Sequence, residues 1–335
     1  MTVNLGVIGA GRIGKVHAEN LVYRIPEARV TAIADVRLDV ARSLASTLNI
    51  PLVTADYRDV LASPDVDAVL VCSSTDTHSE IIEAAARAGK HIFAEKPIDL
   101  DLAIIDRVLA AVAQAGVKFF VGFNRRFDPT YARVHEAIHS GLLGEVHLLH
   151  IISRDPSPPP IEYVRVSGGI FVDMMIHDFD MARFLVGSEV EEVYTRAAVR
   201  IDPRIGEAGD VDTAVVMLTF ANGVIGTIDN SRQAVYGYDQ RVEVLGSKGA
   251  ASTGNVYPNQ VTFSTASSIC RDLPLNFFME RYTESYEREM RAFVKSIVED
   301  TPPPVGPSDG RIPVVMALAA KKSLLEGRPV RLSEI

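Results

Sequence analysis

A glycine-rich turn after the first apolar run constrains the fold more than any other feature of this sequence. The run Val3–Ile8 predicts a buried strand, and Gly9-Ala10-Gly11-Arg12-Ile13-Gly14 joins it to a predicted helix. In such a turn the first glycine permits a tight bend, the second lets the backbone approach a pyrophosphate, and the third lets helix and strand pack closely. The helix N-terminus also offers N–H groups and a partial positive charge to phosphates. We therefore expect a dinucleotide to bind at Gly9, Gly11, Arg12, Ile13 and Gly14.

An acidic residue closes the second predicted strand. Asp35 lies about 20 residues beyond the glycines, where a carboxylate accepts hydrogen bonds from the adenosine ribose. The same carboxylate would repel a 2′-phosphate, so the sequence favours NAD over NADP. Val36 and Arg37 are expected to line the same site, and the charge of Arg37 leaves the use of NADP open. The alternative is a glycine-rich turn beside a solvated aspartate.

The first 122 residues alternate strand and helix patterns. Nearly all-apolar strands are predicted at 3–8, 30–34, 68–72, 91–94 and 118–121, with helices at 9–23, 39–48, 77–88 and 102–115. Apolar strands separated by helices indicate a parallel sheet covered on both faces. Residues 1–122 are therefore predicted to form a Rossmann dinucleotide-binding domain of the α/β class.

The pattern changes after residue 122. Strand-like runs at 190–199, 213–220, 224–231 and 241–245 follow one another, and Asn222-Gly223 between two of them indicates a hairpin. A chain of 335 residues also exceeds what one core usually supports. Residues 123–335 are predicted to form an α+β domain on a large, mainly antiparallel sheet that binds substrate and mediates oligomerisation. Its C-terminal helix is free in this scheme to pack back on the first domain.

Polar residues follow the third and fourth predicted strands. Loops at the carboxyl ends of parallel strands face the ligand crevice. We expect the cofactor to contact these residues and, for the lysine, the substrate as well: Ser73, Ser74, Thr75, His78, Glu95 and Lys96. The alternatives stay open at this point, since the hydroxyl residues also suit a helix cap and Lys96 also suits a solvated loop.

Asp173 and His177 are four residues apart at the start of a predicted helix, so we expect them to share a face. A histidine beside a carboxylate suits proton transfer, because the imidazole titrates near neutrality and the carboxylate orients it. From spacing alone, a core histidine beside a helix-capping aspartate is the stronger interpretation.

Composition excludes several classes of partner. The net charge is −9 and no basic stripe occurs, which argues against nucleic acid and anionic membranes. The chain has two cysteines and lacks an apolar run of about 18 residues, so a cytoplasmic protein is expected. No metal is expected either, because the pair His135 and His139 lacks a third ligand nearby.

Four segments together resemble the glucose–fructose oxidoreductase / inositol dehydrogenase / rhizopine catabolism family. They are the glycine turn, Glu95-Lys96-Pro97, the stretch from Gly122 to Asp128 (GFNRRFD), and the stretch from Asp173 to Asp180 (DMMIHDFD). The resemblance runs from residue 3 to the end of the chain, and the last two stretches look most like the members that oxidise inositols.

The resemblance implies a reaction and its residues. It implies the NAD-dependent oxidation of a secondary hydroxyl of a cyclic polyol, myo-inositol to 2-keto-myo-inositol (scyllo-inosose). It also implies that His177 is the general base, that Asp173 polarises it, and that Lys96 holds the developing alkoxide. Further residues match polyol-pocket positions of similar enzymes: Asn124, Arg125, Asp155 and Tyr236. The resemblance implies a cis bond between Lys96 and Pro97 and a homotetramer, with a dimer as the fallback.

Two other functions fit the same motifs. One is an NAD(P)-dependent aldose or sugar dehydrogenase, which would differ in the shape of its pocket. The other is an NAD-binding relative without net redox turnover, either a glycosidase or a regulator. The presence of lysine, aspartate and histidine together argues against the regulator.

Overall fold

The computed structural model describes residues 2–335. The chain forms two compact units: the first contains the residues up to 127 together with 284–314, and the second contains 128–283 together with 315–335. The first unit is therefore discontinuous in sequence, which a single boundary after residue 122 does not describe. The reason lies in Phe293, which is fully buried with ring centroids 5.8 Å from Phe93 and 5.9 Å from Phe120. Its helix contributes to the apolar core of the first unit.

The strands, in chain order, are β1 (Val3–Ile8), β2 (Ala28–Ala34), β3 (Leu52–Thr54), β4 (Ala68–Val71), β5 (His91–Glu95), β6 (Phe119–Gly122), β7 (Val146–Arg154), β8 (Val190–Ala198), β9 (Thr213–Phe220), β10 (Ile225–Ser231), β11 (Asp239–Gly246), β12 (Gly249–Ser252), β13 (Thr262–Ser264), β14 (Ile269–Arg271) and β15 (Val330–Arg331).

The helices are α1 (Arg12–Arg24), α2 (Leu38–Leu48), α3 (Tyr57–Ala62), α4 (Thr75–Arg87), α5 (Leu102–Ala115), α6 (Pro129–His139), α7 (Ile161–Val164), α8 (Ile170–Asp173), α9 (Ile176–Val186), α10 (Pro203–Glu207), α11 (Phe278–Arg281), α12 (Thr283–Val298) and α13 (Pro307–Glu326). Among residues 2–335, none of these helices is both long and apolar enough to span a membrane.

The first unit is built on a parallel sheet with the order β3-β2-β1-β4-β5-β6. The order reverses between β1 and β4, and in open sheets of this kind ligands bind at the carboxyl ends of the strands beside that reversal. The predicted Rossmann architecture is thereby confirmed. β3 and the short α3 after it have no counterpart among the predicted elements, because three residues are too few to show a periodic pattern.

The second unit is built on a sheet with the order β12-β11-β7-β10-β9-β8-β15. Strands β7 and β10 pair in parallel, and the other neighbours pair antiparallel. The predicted hairpin is present: Gly223 has a φ of +88°, and Phe220 and Val224 bond across the turn at 3.0 Å. The prediction of a mainly antiparallel sheet is thus confirmed, and β13 with β14 forms a separate ribbon.

Candidate active site

The glycine turn between β1 and α1 is shaped by three different constraints. Gly9 has a φ of +101°, and a Cβ there would lie 2.4 Å from the carbonyl oxygen of Cys72. A Cβ on Gly14 would lie 1.9 Å from the carbonyl oxygen of Gly9, so helix and turn touch at this point. A Cβ on Gly11, by contrast, would meet no described atom within 4 Å. Gly9 and Gly14 are therefore required by packing, while Gly11 borders open space.

This open space fits a dinucleotide pyrophosphate. Gly11 is the N-cap residue of α1 and has no side chain with which to cap the helix. The N–H groups in the first turn of a helix lack intrahelical partners, and here that turn contains Arg12, Ile13 and Gly14. A phosphate there would meet backbone donors and the positive end of the helix dipole.

Asp35 lies directly beside the glycine turn. One carboxylate oxygen accepts the N–H of Ala10 at 2.8 Å, and the other accepts the N–H of Arg37 at 2.8 Å. These two bonds orient the carboxylate, and each oxygen keeps a second lone pair for a ribose hydroxyl. Val36 and the guanidinium of Arg37 are exposed, and the guanidinium is 4.0 Å from the carboxylate.

His78 connects the loops that follow β4 and β5. Its side chain is buried, with Nδ1 2.8 Å from the carbonyl oxygen of Pro97 and Nε2 3.1 Å from that of Ser73. The peptide bond between Lys96 and Pro97 is cis, as the resemblance implied. The histidine predicted to touch the cofactor therefore holds two candidate-site loops together.

The hydroxyl residues after β4 have separate roles. Ser73 bonds the hydroxyl of Thr77 at 2.7 Å. Ser74 is the N-cap residue of α4, and its side chain makes no capping bond. Thr75 begins that helix. The alternative interpretation of Ser74 as a side-chain cap is therefore not supported by the geometry.

Glu95 ends β5 immediately before Lys96, and its carboxylate lies 2.7 Å from Nε2 of His17. His17 is fully buried on α1, with its ring edge-on to Phe93 at 5.0 Å. Glu95 thus links the strand that carries Lys96 to the helix of the glycine turn.

Asn124 and Arg125 lie in a single helical turn directly after β6, and both are buried. Asn124 donates from Nδ2 to Oγ of Ser285 at 3.1 Å. This bond fixes the side-chain amide, so its oxygen has a defined direction.

The sequence predicted that Asp173 and His177 begin one continuous helix, but the structure divides this segment into two helices. Helix α8 ends at Asp173 and α9 begins at Ile176, with Met174 at φ −100° and ψ −57° between them. Met174 and Met175 both keep right-handed helical dihedral angles, so the interruption is a local irregularity between two helical segments. The prediction that Asp173 and His177 begin one continuous helix is corrected to this extent. Met174, Met175 and Ile176 are all buried. That the two side chains share a face stays a prediction.

Two residues that the sequence analysis missed fix the carboxylate of Asp173. The hydroxyl of Tyr163 donates to Oδ1 at 2.8 Å, and Nη1 of Arg232 donates to Oδ2 at 2.7 Å. Burial and the neighbouring carboxylate raise the pKa of Tyr163, so it remains a donor at neutral pH. Arg232 directly follows β10 and is buried, but nothing in its own sequence segment predicts this burial.

Two more acids complete the surroundings of Arg232. Asp155, which follows β7, has a carboxylate oxygen 3.9 Å from Nη1, and Asp210 has one 4.0 Å from Nη2. Burial raises the pKa of Asp210. The structure therefore brings the predicted substrate residue Asp155 and the predicted catalytic residue Asp173 to the same guanidinium.

Tyr236 belongs to a neighbouring network of charged groups. Its hydroxyl donates to Asp239 at 2.6 Å and accepts from Arg154 at 3.2 Å. Arg154 is held in turn by Asp229 at 2.7 Å. Tyr236 is 37% exposed, so part of the residue is accessible to solvent.

The predicted site residues are divided between the two units. Those in the first unit are Gly9, Gly11, Arg12, Ile13, Gly14, Asp35, Val36, Arg37, Ser73, Ser74, Thr75, His78, Glu95, Lys96, Asn124 and Arg125. Those in the second are Asp155, Asp173, His177 and Tyr236.

Other reactive groups have structural explanations. Burial raises the pKa of Cys72 well above its ordinary value, so its thiol is a poor nucleophile. The rings of His135 and His139 stack on each other at 3.9 Å, and His135 also stacks on Phe184 at 4.0 Å. Within residues 2–335, no group of three or more potential ligands is placed to hold a metal ion.

Two family models match the chain, one in each of its halves. Residues 3–123 match the oxidoreductase family with an NAD-binding Rossmann fold. Residues 131–252 match the GFO/IDH/MocA C-terminal domain.

Known proteins are similar over nearly the whole length. A protein named myo-inositol 2-dehydrogenase from Thermotoga maritima is 50% identical over 99% of both chains. One named inositol 2-dehydrogenase from Rhizobium meliloti is 46% identical over 99% of this chain and 100% of its own. A solved structure of scyllo-inositol dehydrogenase from Lactobacillus casei with NAD(H) and scyllo-inositol superimposes with a TM-score of 0.92, at 30% identity, over 99% of this chain and 100% of that one.

Proposed function

This chain belongs to the glucose–fructose oxidoreductase / inositol dehydrogenase / rhizopine catabolism family of oxidoreductases, and from this premise we propose that it oxidises myo-inositol to 2-keto-myo-inositol (scyllo-inosose) with NAD. The observation that carries the proposal is the 50% identity to a myo-inositol 2-dehydrogenase over 99% of both chains. The scyllo-inositol enzyme is less similar, at 30% identity, so the myo isomer is the first substrate to test.

NAD is the proposed cofactor, and Asp35 is the reason. Its carboxylate is held beside the glycine turn by the N–H groups of Ala10 and Arg37. A 2′-phosphate placed there would meet a fixed negative charge, whereas two ribose hydroxyls would find an acceptor. The exposed guanidinium of Arg37 is the group that would soften this preference.

The reaction needs a base, a group that orients it and a positive charge. When bound, NAD supplies a hydride acceptor at C4 of its nicotinamide. We assign His177 as the base that takes the hydroxyl proton, because an imidazole titrates near neutral pH. Asp173 orients and polarises this base. Lys96 stabilises the negative charge that develops on the hydroxyl oxygen.

The polyol is proposed to meet Asn124, Arg125, Asp155 and Tyr236. Each hydroxyl of an inositol both donates and accepts, so a pocket needs groups of both kinds. Asp155 offers an acceptor, Arg125 offers donors, and the amide of Asn124 offers one oxygen of fixed direction. An inverted hydroxyl would leave one of these groups unpaired, which selects among stereoisomers.

A homotetramer is the proposed assembly, with a dimer as the smaller alternative. On the open face of the second sheet, Leu245 pairs with Leu148, and Leu148 pairs with Ile225. These side chains are 41–47% exposed, and Val215 and Met217 on β9 are 48% and 45% exposed. Such an exposed, partly apolar face suits a symmetric contact between copies.

The assembly can be tested by light scattering of the purified protein. Ile225→Asp introduces a charge in the middle of the apolar face and is expected to shift the mass towards smaller species. Arg133→Met on an exposed face of α6 makes the same change of one negative unit in net charge elsewhere, and it should leave the mass unchanged. A monomeric wild type would refute the proposed assembly.

We also propose a cytoplasmic location. The support is that Cys72 and Cys270 are both unpaired thiols, the state that a reducing compartment maintains. Fractionation of the source cells would test it.

The first experiment measures NADH formation with myo-inositol, scyllo-inositol, D-chiro-inositol, glucose and xylose, each with NAD and with NADP. Reduction of NAD with myo-inositol ahead of the other substrates is the expected result. Activity with an aldose and none with any inositol would replace the proposed substrate. No reduction with any substrate, together with NAD retained through purification, would refute net redox turnover.

A further inference from the structure

The carboxyl end of β10 holds the peptide segment on both sides of His177. Asn230 donates from Nδ2 to Asp178 at 2.9 Å, and Arg232 donates to Asp173 at 2.7 Å. Both side chains are buried, while Ser231 between them is partly exposed, so the two point to the same side. In the sequence, His177 thus lies between Asp173 and Asp178, and residues at the end of β10 bond both of these carboxylates.

Burial of Arg232 at this position costs free energy of folding. It is 2% exposed, and its Nε and Nη2 have no hydrogen-bond partner among the described residues. A buried guanidinium with unmet donors is less favourable for stability than an apolar side chain of similar volume. Folding alone therefore gives no reason for an arginine at this position.

The geometry around Asp173 supplies a reason. Arg232 and Tyr163 hold its two carboxylate oxygens separately. The carboxylate can neither rotate nor exchange its oxygens without losing a bond to a buried charge. Three acids face the guanidinium, Asp155, Asp173 and Asp210, and one bonds it.

Asp210 extends this arrangement to the start of α8. Its carboxylate accepts the N–H of Ile170 with both oxygens at 3.0 Å. The guanidinium consequently lies between the carboxylate that caps the beginning of α8 and the one at its end. The four-residue helix that carries Asp173 is fixed from both ends around one positive charge.

We infer that Arg232 is a positioning residue for proton transfer: it fixes the carboxylate of Asp173 in direction and keeps Asp155 beside it. This inference rests on the proposed function. It predicts that removal of the guanidinium slows the chemical step and leaves cofactor binding intact, because the groups that bind the dinucleotide do not include Arg232.

The test compares Arg232→Met, which removes the charge, with Arg232→Lys, which keeps it without the fork. Arg133→Met is the matched control, since Arg133 forms an exposed pair with Glu136 in the same unit. For each variant, kcat and KM for myo-inositol are measured, and kcat is calculated per NAD site counted by calorimetry. This normalisation removes any loss of folded protein.

We expect Arg232→Met to lower kcat per NAD site by about 100-fold relative to the wild type. Arg232→Lys should have a kcat about tenfold higher than that of Arg232→Met, and Arg133→Met should match the wild type. Equal kcat in Arg232→Met and the control overturns the inference. Inactivity of the wild type towards every inositol overturns the proposed function instead. In that case, the crystal structure of Arg232→Lys decides the inference: an undisplaced Asp173 carboxylate overturns it, and a displaced one supports it.

Discussion

Two glycines of the same turn should fail in different ways when each is replaced by alanine. The structure gives Gly14 a steric role and Gly11 a role in ligand approach. Gly14→Ala is therefore expected to destabilise the protein. Gly11→Ala is expected to leave stability nearly intact and to weaken NAD binding.

The magnitudes follow from the distances. The new Cβ of Gly14→Ala would lie 1.9 Å from the carbonyl oxygen of Gly9, whereas carbon and oxygen approach without a clash only to about 3.3 Å. Gly9 cannot yield easily, because its own Cα is packed against Cys72. An overpacked core of this kind costs about 3 kcal/mol or more. In a unit of this size, this cost lowers the melting temperature by roughly 6–12 °C.

Gly11→Ala meets no described atom within 4 Å. Its cost is that of alanine for glycine at a helix N-cap, at most about 1 kcal/mol. The methyl group would instead occupy the space in which the backbone approaches the pyrophosphate. We expect the Kd for NAD to rise about 100-fold, which corresponds to about 2.7 kcal/mol.

Circular dichroism gives the melting temperatures of the apo proteins, and calorimetry gives the Kd for NAD, since the chain has no tryptophan for fluorescence. Gly116→Ala is a control for backbone strain outside the site, because it tests a positive φ where a Cβ meets no atom within 4 Å. Wild-type affinity in Gly11→Ala would refute the placement of the pyrophosphate. Wild-type stability in Gly14→Ala would refute the packing argument.

Four further outcomes are expected. His177→Ala should lower kcat by a factor of about 100 to 10,000 with little change in the Kd for NAD; unchanged turnover would exclude His177 as the base. Asp35→Ser should raise the ratio of kcat/KM for NADP to that for NAD by about tenfold or more, and an equal loss with both cofactors would contradict its selective role. Burial and Lys118 lower the pKa of His91 below 6.5, so the contribution of neutral His91 to stability is present above pH 6.5 and is lost as the pH falls through the folded-state pKa. His91→Asn keeps an acceptor for the N–H of Lys118 and should make the melting temperature fall less steeply with decreasing pH. An unaltered pH profile of the melting temperature would rule this out. A thiol reagent should modify exposed Cys270 in the native protein and Cys72 after unfolding; equal rates in the native state would show that Cys72 is not buried.

Local sequence patterns predicted most of the first sheet correctly. Five of its strands are apolar runs bounded by glycine or polar residues, and such runs carry their signal within a few residues. β3 was missed because its three half-buried residues are too few to show a pattern of their own. The sequence left open whether a C-terminal helix packs on the first domain, because the apolar stripe of α12 shows that the helix is buried but not which core receives it.

Local pattern was less informative about the geometry of the candidate site. The spacing of Asp173 and His177 predicted one continuous helix, whereas the helix is interrupted between them at Met174 and Met175. Tyr163 and Arg232 were missed because nothing within their own segments distinguishes them from solvated residues. They become functional candidates only once the structure brings them to Asp173.

The sequence by itself determined the glycine turn, the acid that follows it, the two classes of sheet and the family, because each depends on residues close together along the chain or on segments that can be matched one by one. The tertiary structure decided which side chains are held by hydrogen bonds, which residues provide those bonds, and how each side chain is oriented. Burial of a charge and the pairing of its oxygens depend on residues tens of positions apart, as between Asp173 and Arg232. No local periodicity predicts such a contact, since it forms only where the chain fold brings the end of β10 to the end of α8.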